Sequence, residues 1–575
     1  MNEETAAQNN QWAHFIIDFL YQQKVEYFCI SPGSRSTALT LALARHPHAK
    51  AFVHFDERGA AFHALGYAKA TGKPAAIIVT SGTAVANLFP AVMEASLSHV
   101  PLILLTADRP PELRDVGANQ TVDQVKLFGQ YVRFAVDLPC PSSATTASYL
   151  SSTIAQSVFM SMHSPKGPVH LNCMFREPLL SEKKIEQAFH PTPQYNLSSL
   201  QPHDALLEKW AKSLSEFEKG VIVLGSLPPN TQFASIEQLS KKWGWPIFPD
   251  IFSGFRTSKS AIAHYELILK SLPEMRADTI LHLGDRLVSK TLLEWLQKVK
   301  TERYFQVLDI PFRSDPLHLT TDRMECDPVL FCTSILLHLE EKDSAWMDEW
   351  TFYDKKAHAI VTNFFENTEH ISEPSLFFYL QNALGKEAAL FLGNSMPVRD
   401  AQLFLGQKEG GPILGNRGVS GIDGNIATSV GIAQGLQMPV VSVIGDLATL
   451  HDLNSIAQMK KADYPVILIV VNNQGGGIFS FLPVAKKQDV FEEFFAASHT
   501  LSFEMAAKLF DLPYLNIQNG SALTEFLQRP LHTSCIIEVN TNRQENFLLH
   551  QQLYQKVKEC LQHEVENPSV LYTGS

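Results

Sequence analysis

Short apolar runs alternate along the chain with longer segments of helical periodicity. In the first third the runs are YFCIS, AFVHF, AAIIVTS and PLILLTAD, and in the last third they are AALFLGN, PVVSVIGD, PVILIVVNN and SCIIEV. Between these two sets lie GVIVLGS, DTILHLGD and YFQVLD. Buried parallel strands are near-continuous apolar runs joined by helices. The pattern therefore predicts an α/β fold with mostly parallel sheets.

The grouping of the runs predicts three α/β domains. At 575 residues the chain is too long for one hydrophobic core. The Pro-, Ser- and Asn-rich segment 191–204 has the composition of a linker, and the charged stretch LEEKDSAWMDEW indicates a second boundary. We predict an N-terminal domain over residues 1–185, a middle domain over 186–350 and a C-terminal domain over 351–575. The outer domains are expected to be related, because their apolar runs are similar in length and spacing.

The composition, with 45% hydrophobic and 18% charged residues, is that of an ordinary folded protein. A formal charge of −12 argues against nucleic-acid binding, because neutralising phosphates requires a basic face. The N-terminal stretch MNEETAAQNNQW is polar, and no apolar run approaches the roughly 18 residues that span a bilayer. The seven scattered cysteines lack CxxC spacing, which favours reduced core thiols. Together these features predict a cytoplasmic protein without membrane insertion.

Two of the apolar runs in the last third end at polar residues that suit a metal ion. The first ends at Asp446, and the second ends about 27 residues later at Asn473, just before the glycines that begin at Gly475. Ligands bind beyond the carboxyl ends of parallel strands, and Mg²⁺ prefers carboxylate, amide, carbonyl and phosphate oxygens. These three residues are therefore predicted to bind Mg²⁺ or Mn²⁺, although Gly-Asp and Asn-Asn taken singly are also ordinary turn formers.

The same stretch resembles the thiamine diphosphate signature, in which Gly-Asp-Gly is followed some two dozen residues later by Asn-Asn. Residues 448–471 separate the two halves, and Leu447 departs from the pattern where the signature has its third glycine. The resemblance implies the three-domain architecture of thiamine-diphosphate enzymes, with a pyrimidine-binding N-terminal domain and a diphosphate-binding C-terminal domain. The cofactor contacts that it implies in this stretch are Gly445, Asp446, Leu447, Asn473, Gly475, Gly476 and Ile478.

The resemblance also requires a glutamate from the N-terminal domain, because a carboxylate must protonate the aminopyrimidine ring of the cofactor. HFDERGAAFHALGYAKATGKPAAIIVTS resembles the N-terminal pattern of these enzymes. In it Glu57 is expected to close a strand and to be the catalytic partner of the cofactor. Taken alone, Glu57 would more simply be a charge at a helix start. Ile422, in GNRGVSGIDG, is the bulky residue expected to support the cofactor in its bent shape.

Five stretches narrow the resemblance to one family: SPGSRSTALT, TADRPPELRDVGANQTVDQ, GNSMPVRDA, GNRGVSGIDG and NNQGGGIFSFLP. They resemble the 2-succinyl-5-enolpyruvyl-6-hydroxy-3-cyclohexene-1-carboxylate synthases of menaquinone biosynthesis, from about Trp12 to beyond Pro483. The family reaction decarboxylates 2-oxoglutarate on thiamine diphosphate and adds the succinyl carbanion equivalent to isochorismate in a 1,4 fashion. The resemblance therefore implies a transferase that uses thiamine diphosphate and Mg²⁺.

Both of those substrates are dicarboxylates, and arginine binds carboxylates bidentately. Four arginines lie in Ser-, Gly- or Pro-rich loops of the shared stretches, where they would reverse the field of an acidic chain. The resemblance assigns Ser395 and Arg399 to the succinyl carboxylate, and Phe479 with Ile478 to the exclusion of water from the reacting carbon. The residues expected to hold isochorismate are Ser34, Arg35, Arg109, Asn119, Gln120 and Lys290, with Arg417 as a further loop arginine. Thr291 stands where some relatives carry a second base after that lysine.

Two other interpretations remain open. The chain could be a thiamine-diphosphate enzyme for a smaller substrate, such as a pyruvate-using acetohydroxyacid synthase or a simple 2-oxo acid decarboxylase. It could also be a non-catalytic scaffold that binds a partner or a nucleotide. The loop arginines favour the dicarboxylate substrates, and intact Glu57, Asp446 and Asn473 argue against a scaffold. The resemblance further implies a homodimer or homotetramer whose active sites are shared between chains.

Overall fold

A computed structural model describes residues 2–181, 190–342, 344–366, 368, 370–407 and 410–567. The predicted boundary between residues 185 and 186 lies outside the described residues. The second predicted boundary, between residues 350 and 351, falls inside a helix that spans Ala345–Glu366. That helix buries Trp346 and Trp350, so the AWMDEW part of the charged stretch is the amphipathic start of a packed helix. The domain limits stay predictions.

The described residues form three sheets of strands β1 to β17. The first sheet contains β1 (Tyr27–Ile30), β2 (Lys50–Val53), β3 (Ala75–Val79), β4 (Leu102–Asp108), β5 (Phe134–Leu138) and β6 (Pro168–Met174). The middle sheet contains β7 (Gly220–Leu224), β8 (Ile247–Pro249), β9 (Thr279–Leu283), β10 (Arg303–Val307) and β11 (Asp322–Met324). The last sheet contains β12 (Ala389–Leu392), β13 (Ile413–Gly415), β14 (Val440–Gly445), β15 (Val466–Asn472), β16 (Tyr514–Asn516) and β17 (Cys535–Asn540).

The first and last sheets have the same topology. Their strand orders are β2-β1-β3-β4-β6-β5 and β13-β12-β14-β15-β17-β16, which coincide when the strands of each sheet are numbered from its own first strand. The middle sheet has the different order β11-β10-β9-β7-β8. Pairings in all three sheets are parallel, for example β1 with β3, β7 with β9, and β15 with β17. The predicted α/β fold with parallel sheets is confirmed, and the outer sheets, which we expected to be related, share one strand order.

Helices connect the strands, as parallel pairing requires. Those of the first third are α1 (Asn2–Gln22), α2 (Thr37–Ala44), α3 (Glu57–Thr71), α4 (Thr83–Ala86), α5 (Phe89–Leu97) and α6 (Ala147–Met162). Those of the middle are α7 (Asp204–Ser215), α8 (Ala234–Trp243), α9 (Tyr265–Ser271), α10 (Lys290–Val299) and α11 (Pro328–Ile335). The remaining helices are α12 (Ala345–Glu366), α13 (Glu373–Ala383), α14 (Met396–Phe404), α15 (Asn425–Leu436), α16 (Asp446–His451), α17 (Ile456–Met459), α18 (Gln488–Phe494), α19 (Glu504–Leu509), α20 (Gly520–Gln528) and α21 (Arg543–Glu566).

The chain divides into two compact units. Unit 1 comprises Met1–Ser198, Asn416–Val440 and Ala448–Val466. Alternate residues of β1 point to opposite faces of its sheet, so Phe28 packs with α1, α2 and α6, whereas Cys29 packs with α3 and α5. Helices α3 and α15 pack closely through glycine: a Cβ on Gly66 would lie 2.1 Å from the Thr428 carbonyl oxygen.

Unit 2 comprises Ser199–Gly415, Val441–Leu447 and Ile467–Ser575. One core cluster joins a face of the middle sheet to the last sheet through α12 and α13, with Val223 and Val443 among its buried strand residues. A second cluster covers the other face of the middle sheet and includes Trp210 and Trp243. Both clusters consist of large apolar side chains removed from water, which is the main source of stability for such layers.

All the apolar runs named from the sequence become strands, with ends that move by at most two residues. The strands β5, β6, β8, β11, β13 and β16 were not predicted. Four of these are only three residues long, and β6 carries polar His170 and Asn172, so their apolar signal is weak. The seven cysteines are free thiols. Among the helices of the described residues, none combines the length and hydropathy needed to cross a bilayer.

Candidate active site

The two polar strand ends predicted as a metal site lie next to each other in unit 2. Strand β14 ends at Gly445 and β15 ends at Asn472, and the two strands are neighbours in the sheet. The Gly475 N–H donates a hydrogen bond to Asp446 Oδ2 at 2.9 Å, and the Leu447 N–H donates to Asp446 Oδ1 at 2.6 Å. The carboxylate is therefore held by backbone donors on both oxygens.

Two glycines of the loop after β15 lie too close to neighbouring atoms for a Cβ to fit without a shift. Gly475 has φ of +147°, and a Cβ there would lie 2.6 Å from the Ala496 carbonyl oxygen. A Cβ on Gly477 would lie 2.6 Å from Asn473 Nδ2, so a larger residue would displace that amide. Leu447, the departure from the cofactor signature, makes its contact through the backbone N–H. Any non-proline residue supplies that donor, which explains why a leucine is tolerated there.

The Asn473 side chain has one satisfied and one unsatisfied end. Its Nδ2 donates to Glu373 Oε1 at 2.9 Å. Its Oδ1 is buried and makes no hydrogen bond to any part of the chain that the structure describes. Buried polar atoms are nearly always paired, and an amide oxygen is a suitable Mg²⁺ ligand. The donor set of Asp446 and Asn473 therefore fits a Mg²⁺ ion.

Burial shapes the electrostatics of this edge of the sheet. It raises the pKa of Asp446, while the N–H groups of Gly475 and Leu447 and the nearby His499 favour the ionised form. Burial together with the Asp400 carboxyl raises the pKa of Glu373 to about 8. A divalent cation would lower the cost of ionising carboxylates here. Within the described residues, no group of three or more His, Cys, Asp and Glu side chains is arranged to hold a metal.

Two residues near Asp446 were missed by the sequence analysis. His499 Nε2 lies 3.4 Å from Asp446 Oδ2, and its Nδ1 accepts from the Leu501 N–H at 3.1 Å. The Nε2 side of the ring thus faces the carboxylate. Arg543 donates to Glu492 at 2.7 Å, and its buried Nη1 is close to Gly475. Neither residue belongs to a motif, and no pattern in the sequence links them to the site.

The residues assigned to the succinyl carboxylate lie at the start of α14. Ser395 has φ of +74° and is the N-cap, and Pro397 occupies the first turn of the helix. Arg399 therefore belongs to a helix, and the prediction of a loop arginine is wrong at this position, because a proline in the first turn favours helix formation. Arg399 Nη1 donates to the Ser395 carbonyl oxygen at 2.5 Å. Phe479 and Ile478 are partly buried in a 3₁₀ helix over Gly477–Phe481.

In unit 1, Glu57 is the first residue of α3. Strand β2 ends at Val53, so the expectation that Glu57 closes a strand is wrong. The N-cap is Asp56, whose side chain accepts from the Arg58 and Gly59 N–H groups. That cap ends the extended segment and starts the helix. Glu57 lines an open cavity together with Phe55, Asp56, Arg58, Asn87 and Asn454.

Of the residues assigned to isochorismate, Arg35, Arg109 and Gln120 lie beyond β1, β3 and β4 in unit 1, whereas Lys290 belongs to unit 2. Arg35 is 4% exposed and donates to the Phe175 carbonyl oxygen at 2.9 Å and to Glu177 at 2.7 Å. Arg109 donates to Ser81 Oγ. Burial and the charge of Arg35 lower the pKa of Arg109, so the two guanidinium groups are near enough to repel. Two guanidinium groups at this end of the sheet suit a carboxylate, and the nearby Glu177 and Asp108 carboxylates offset part of their charge.

The other predicted substrate residues differ in their surroundings. Gln120, with φ of 54°, donates through Nε2 to the Ser81 carbonyl oxygen at 2.9 Å. Asn119 beside it and Ser34 are exposed. Lys290, in unit 2, is the first residue of α10; its side chain is 85% exposed and lies 3.4 Å from Glu294.

Arg417 and Ile422 share a loop of unit 1 that precedes α15. The loop is fixed by Glu94, whose carboxylate accepts from the Gly418 N–H at 2.9 Å and the Val419 N–H at 2.8 Å. Arg417 is half-buried, and Ile422 is 38% exposed. An apolar side chain of that exposure is available to support a ligand.

Sequence comparisons agree with this arrangement. The family profile described as thiamine pyrophosphate enzyme, N-terminal TPP binding domain, matches residues 10–127. The middle domain of thiamine pyrophosphate enzymes matches residues 188–392, and the C-terminal TPP binding domain matches residues 400–539. The first match includes Glu57, Arg35 and Arg109, and the last includes Asp446 and Asn473.

Similar proteins of several bacteria extend over nearly the whole chain. The 2-succinyl-5-enolpyruvyl-6-hydroxy-3-cyclohexene-1-carboxylate synthase of Rubrobacter xylanophilus is 41% identical over 572 residues, covering 96% of this chain and 99% of the relative. Proteins of the same name from Salinibacter ruber and Chloroflexus aurantiacus are 39% and 38% identical, each over 96% of this chain and over 97% and 96% of the relatives. The chain belongs to this synthase family. It is therefore an enzyme with the domains that bind thiamine diphosphate, and the family interpretation drawn from the five stretches is confirmed.

Proposed function

We propose that the chain catalyses the thiamine-diphosphate- and Mg²⁺-dependent decarboxylation of 2-oxoglutarate and the 1,4-addition of the resulting succinyl unit to isochorismate. The product would be 2-succinyl-5-enolpyruvyl-6-hydroxy-3-cyclohexene-1-carboxylate, for menaquinone biosynthesis in the cytoplasm. The observation that carries the proposal is the unsatisfied Asn473 Oδ1 at the end of the strand adjacent to the one that precedes Asp446, in a chain 41% identical to a synthase of that name. Mn²⁺ has the same preference for oxygen ligands and would substitute for Mg²⁺.

Residues of unit 2 would hold the metal and the diphosphate. Asp446, Asn473 and the backbone of Gly475 would bind the cation. The backbone around Gly445, Leu447 and Gly476 would lie against the phosphates, because loops without side chains allow close approach. When bound, thiamine diphosphate would supply a nucleophilic carbon and a cationic ring that stabilises the negative charge left when carbon dioxide is lost. Ile478 and Phe479 would exclude water from the reacting carbon, and Ile422 would support the cofactor.

Residues of both units would hold protons and carboxylates. Glu57 would hold a proton on the aminopyrimidine side of the cofactor. Ser395 and Arg399 would bind the distal carboxylate of 2-oxoglutarate. The carboxylates of isochorismate would be bound by the following residues: Ser34, Arg35, Arg109, Asn119, Gln120, Lys290 and Arg417. Charge-assisted hydrogen bonds of this kind orient planar anions and favour productive geometry.

The decisive experiment measures carbon dioxide release from 2-oxoglutarate, with thiamine diphosphate and Mg²⁺, in the presence and absence of isochorismate. We expect release to accelerate when isochorismate is added and a product of the expected mass to accumulate. Pyruvate is offered as the competing substrate. Faster turnover of pyruvate than of 2-oxoglutarate would contradict the proposal and favour an acetohydroxyacid synthase or a simple decarboxylase.

We also propose that the enzyme is a homodimer or homotetramer whose active sites take Glu57 from one chain and Asp446 from another. Two inactive variants, Glu57→Gln and Asp446→Ala, are dissociated together and reassembled. If sites are shared, each mixed pair has one site with both lesions and one intact site. Random reassortment makes about half of the pairs mixed, so roughly a quarter of wild-type activity should return. No recovery, in a mixture shown by mass to contain mixed oligomers, would contradict shared sites.

A further inference from the structure

Glu373 is a buried acid at the start of α13. It is not among the residues assigned above to the metal, the cofactor or the substrates. It is 2% exposed. Acids at this helix position usually face the free N–H groups of the first turn, but here Ser372 caps the helix by accepting from the Ser375 N–H. Glu373 Oε1 instead accepts from Asn473 Nδ2 at 2.9 Å and from Thr541 Oγ1 at 3.2 Å. Its carboxyl group therefore accepts hydrogen bonds from residues that follow β15 and β17.

The hydrogen bond from Asn473 fixes which end of its amide faces which way. The nitrogen points to Glu373, so the oxygen lies on the other side of the planar group. That oxygen is the buried Oδ1 without a hydrogen-bond partner among the described residues. If the amide were reversed, Oδ1 would face the carboxyl oxygen that already accepts from Thr541, and two acceptors would oppose each other. The reversed amide would also present an NH₂ group, which cannot bind a cation.

We propose that Glu373 is a positioning residue of the metal site: it holds the Asn473 amide so that Oδ1 faces the cation. The inference rests on the proposed function, because it assumes that Asn473 is a Mg²⁺ ligand. Ligating side chains are commonly oriented by such outer hydrogen bonds, and the loss of one typically lowers metal affinity by about 10- to 100-fold. Glu373 does not touch the substrate or the cofactor in this role.

The test measures metal binding rather than turnover. Mn²⁺ is titrated into the full-length protein with saturating thiamine diphosphate, and free Mn²⁺ is quantified from its electron paramagnetic resonance signal. Glu373→Leu removes the acceptor at similar volume and should weaken Mn²⁺ binding by about 10- to 100-fold. Glu373→Gln retains an oxygen acceptor that the two donors hold in place, so it should remain within about threefold of wild type. If Glu373→Leu does not fold, Glu373→Ser removes the same acceptor from a site that stays polar.

The control is Thr541→Val, which removes the other hydrogen bond to Glu373 Oε1 and leaves the bond from Asn473 intact. We expect it to bind Mn²⁺ like wild type. Wild-type affinity in a folded Glu373→Leu or Glu373→Ser variant would overturn the inference, as would an equal loss in Glu373→Gln or in Thr541→Val. If wild type itself bound no Mn²⁺ with thiamine diphosphate, the proposed function would fail and the inference with it. These two failures are therefore distinguishable.

Discussion

The first and last sheets share one topology but carry different polar side chains at corresponding strand ends. After the third and fourth strands, the first sheet carries Ser81 and Arg109, whereas the last sheet carries Asp446 and Asn473. The common strand order places the loops after these strands side by side in each sheet. Topology therefore sets where a ligand can bind, and the side chains at the strand ends set which charge on the ligand is favoured.

Two buried carboxyl groups, one in each unit, differ in how their surroundings shift the pKa. Burial would raise the pKa of Glu94 in unit 1, but Lys69, Ser98 and the N–H groups of Val419 and Gly418 lower it below its ordinary value. Burial raises the pKa of Asp446 in unit 2 in spite of its hydrogen bonds. The negative charge of Glu94 is thus paired within its own unit, and its role is structural. The ionised form of Asp446 would gain from an added cation, as a metal ligand should.

Glu57 is the acid of unit 1 that is proposed to take part in proton transfer, and its removal should have the largest effect. Glu57→Gln should leave cofactor binding intact and lower turnover about 10²- to 10⁴-fold, because a proton-transfer partner is lost. The matched control is Asp56→Asn, which neutralises the neighbouring acid and keeps a good N-cap. Steady-state turnover and cofactor titration are measured for both. Near wild-type turnover in Glu57→Gln would remove Glu57 from the mechanism.

The structural role of Glu94 predicts a loss of stability. Glu94→Gln should lower the free energy of unfolding by about 3 kcal/mol at neutral pH, because it leaves the buried Lys69 without its carboxylate. A lowered folded-state pKa contributes stability above the ordinary glutamate pKa of about 4.3, and this contribution is lost as the pH falls through the folded-state value. The difference between wild type and variant in denaturant unfolding should therefore shrink in acid.

The control for that experiment is Glu112→Gln. Glu112 pairs with Arg176 at 2.7 Å, but the two side chains are 53% and 44% exposed, so the change should cost less than about 1 kcal/mol. Equal losses in the two variants, or a Glu94→Gln difference that persists unchanged in acid, would contradict the ion-pair explanation.

The arginines of the two sheets are expected to serve different substrates. Arg399→Ala should raise the KM for 2-oxoglutarate, and Arg109→Ala should raise the KM for isochorismate. Each effect should be about 10- to 150-fold, because a hydrogen bond to a charged group contributes about 1.5–3 kcal/mol. Arg176→Ala, at the exposed pair with Glu112, should change neither. Steady-state kinetics with each substrate varied measure both KM values. If the two defects were exchanged between the variants, the assignment of the two arginines would be reversed.

Lys290 should give the smallest effect. Its side chain is 85% exposed beside Glu294, and exposed charges contribute about 0.2–1 kcal/mol to their interactions. Lys290→Ala should therefore raise the KM for isochorismate by less than about fivefold. Lys298→Ala, in the last turn of the same helix, is the control for a general charge effect. A loss as large as that of Arg109→Ala would show that Lys290 binds the substrate as closely as the strand-end arginines.

The fold class and the local half of the site can be predicted from the amino-acid sequence. The apolar runs predicted the long strands because burial on both faces of a parallel sheet demands continuous apolar residues. The spacing of Asp446 and Asn473 predicted their approach, because one connection between neighbouring parallel strands returns the chain to the same sheet edge. The short strands β8, β11, β13 and β16 were missed, since three residues carry too little pattern to distinguish a strand from a loop.

The hydrogen bonds and ion pairs that position the side chains at those strand ends depend on tertiary packing and could not be predicted from the sequence. Glu373 is 100 residues before Asn473, and no local pattern connects a helix-start acid to a distant amide. The same holds for His499, which faces Asp446, and for Glu94, which fixes the loop of Arg417 and Ile422 from 324 residues away. Sequence periodicity records which face of an element is buried. It does not record which buried polar atoms meet, because hydrogen bonds between distant residues are directional and form only when packing sets their geometry.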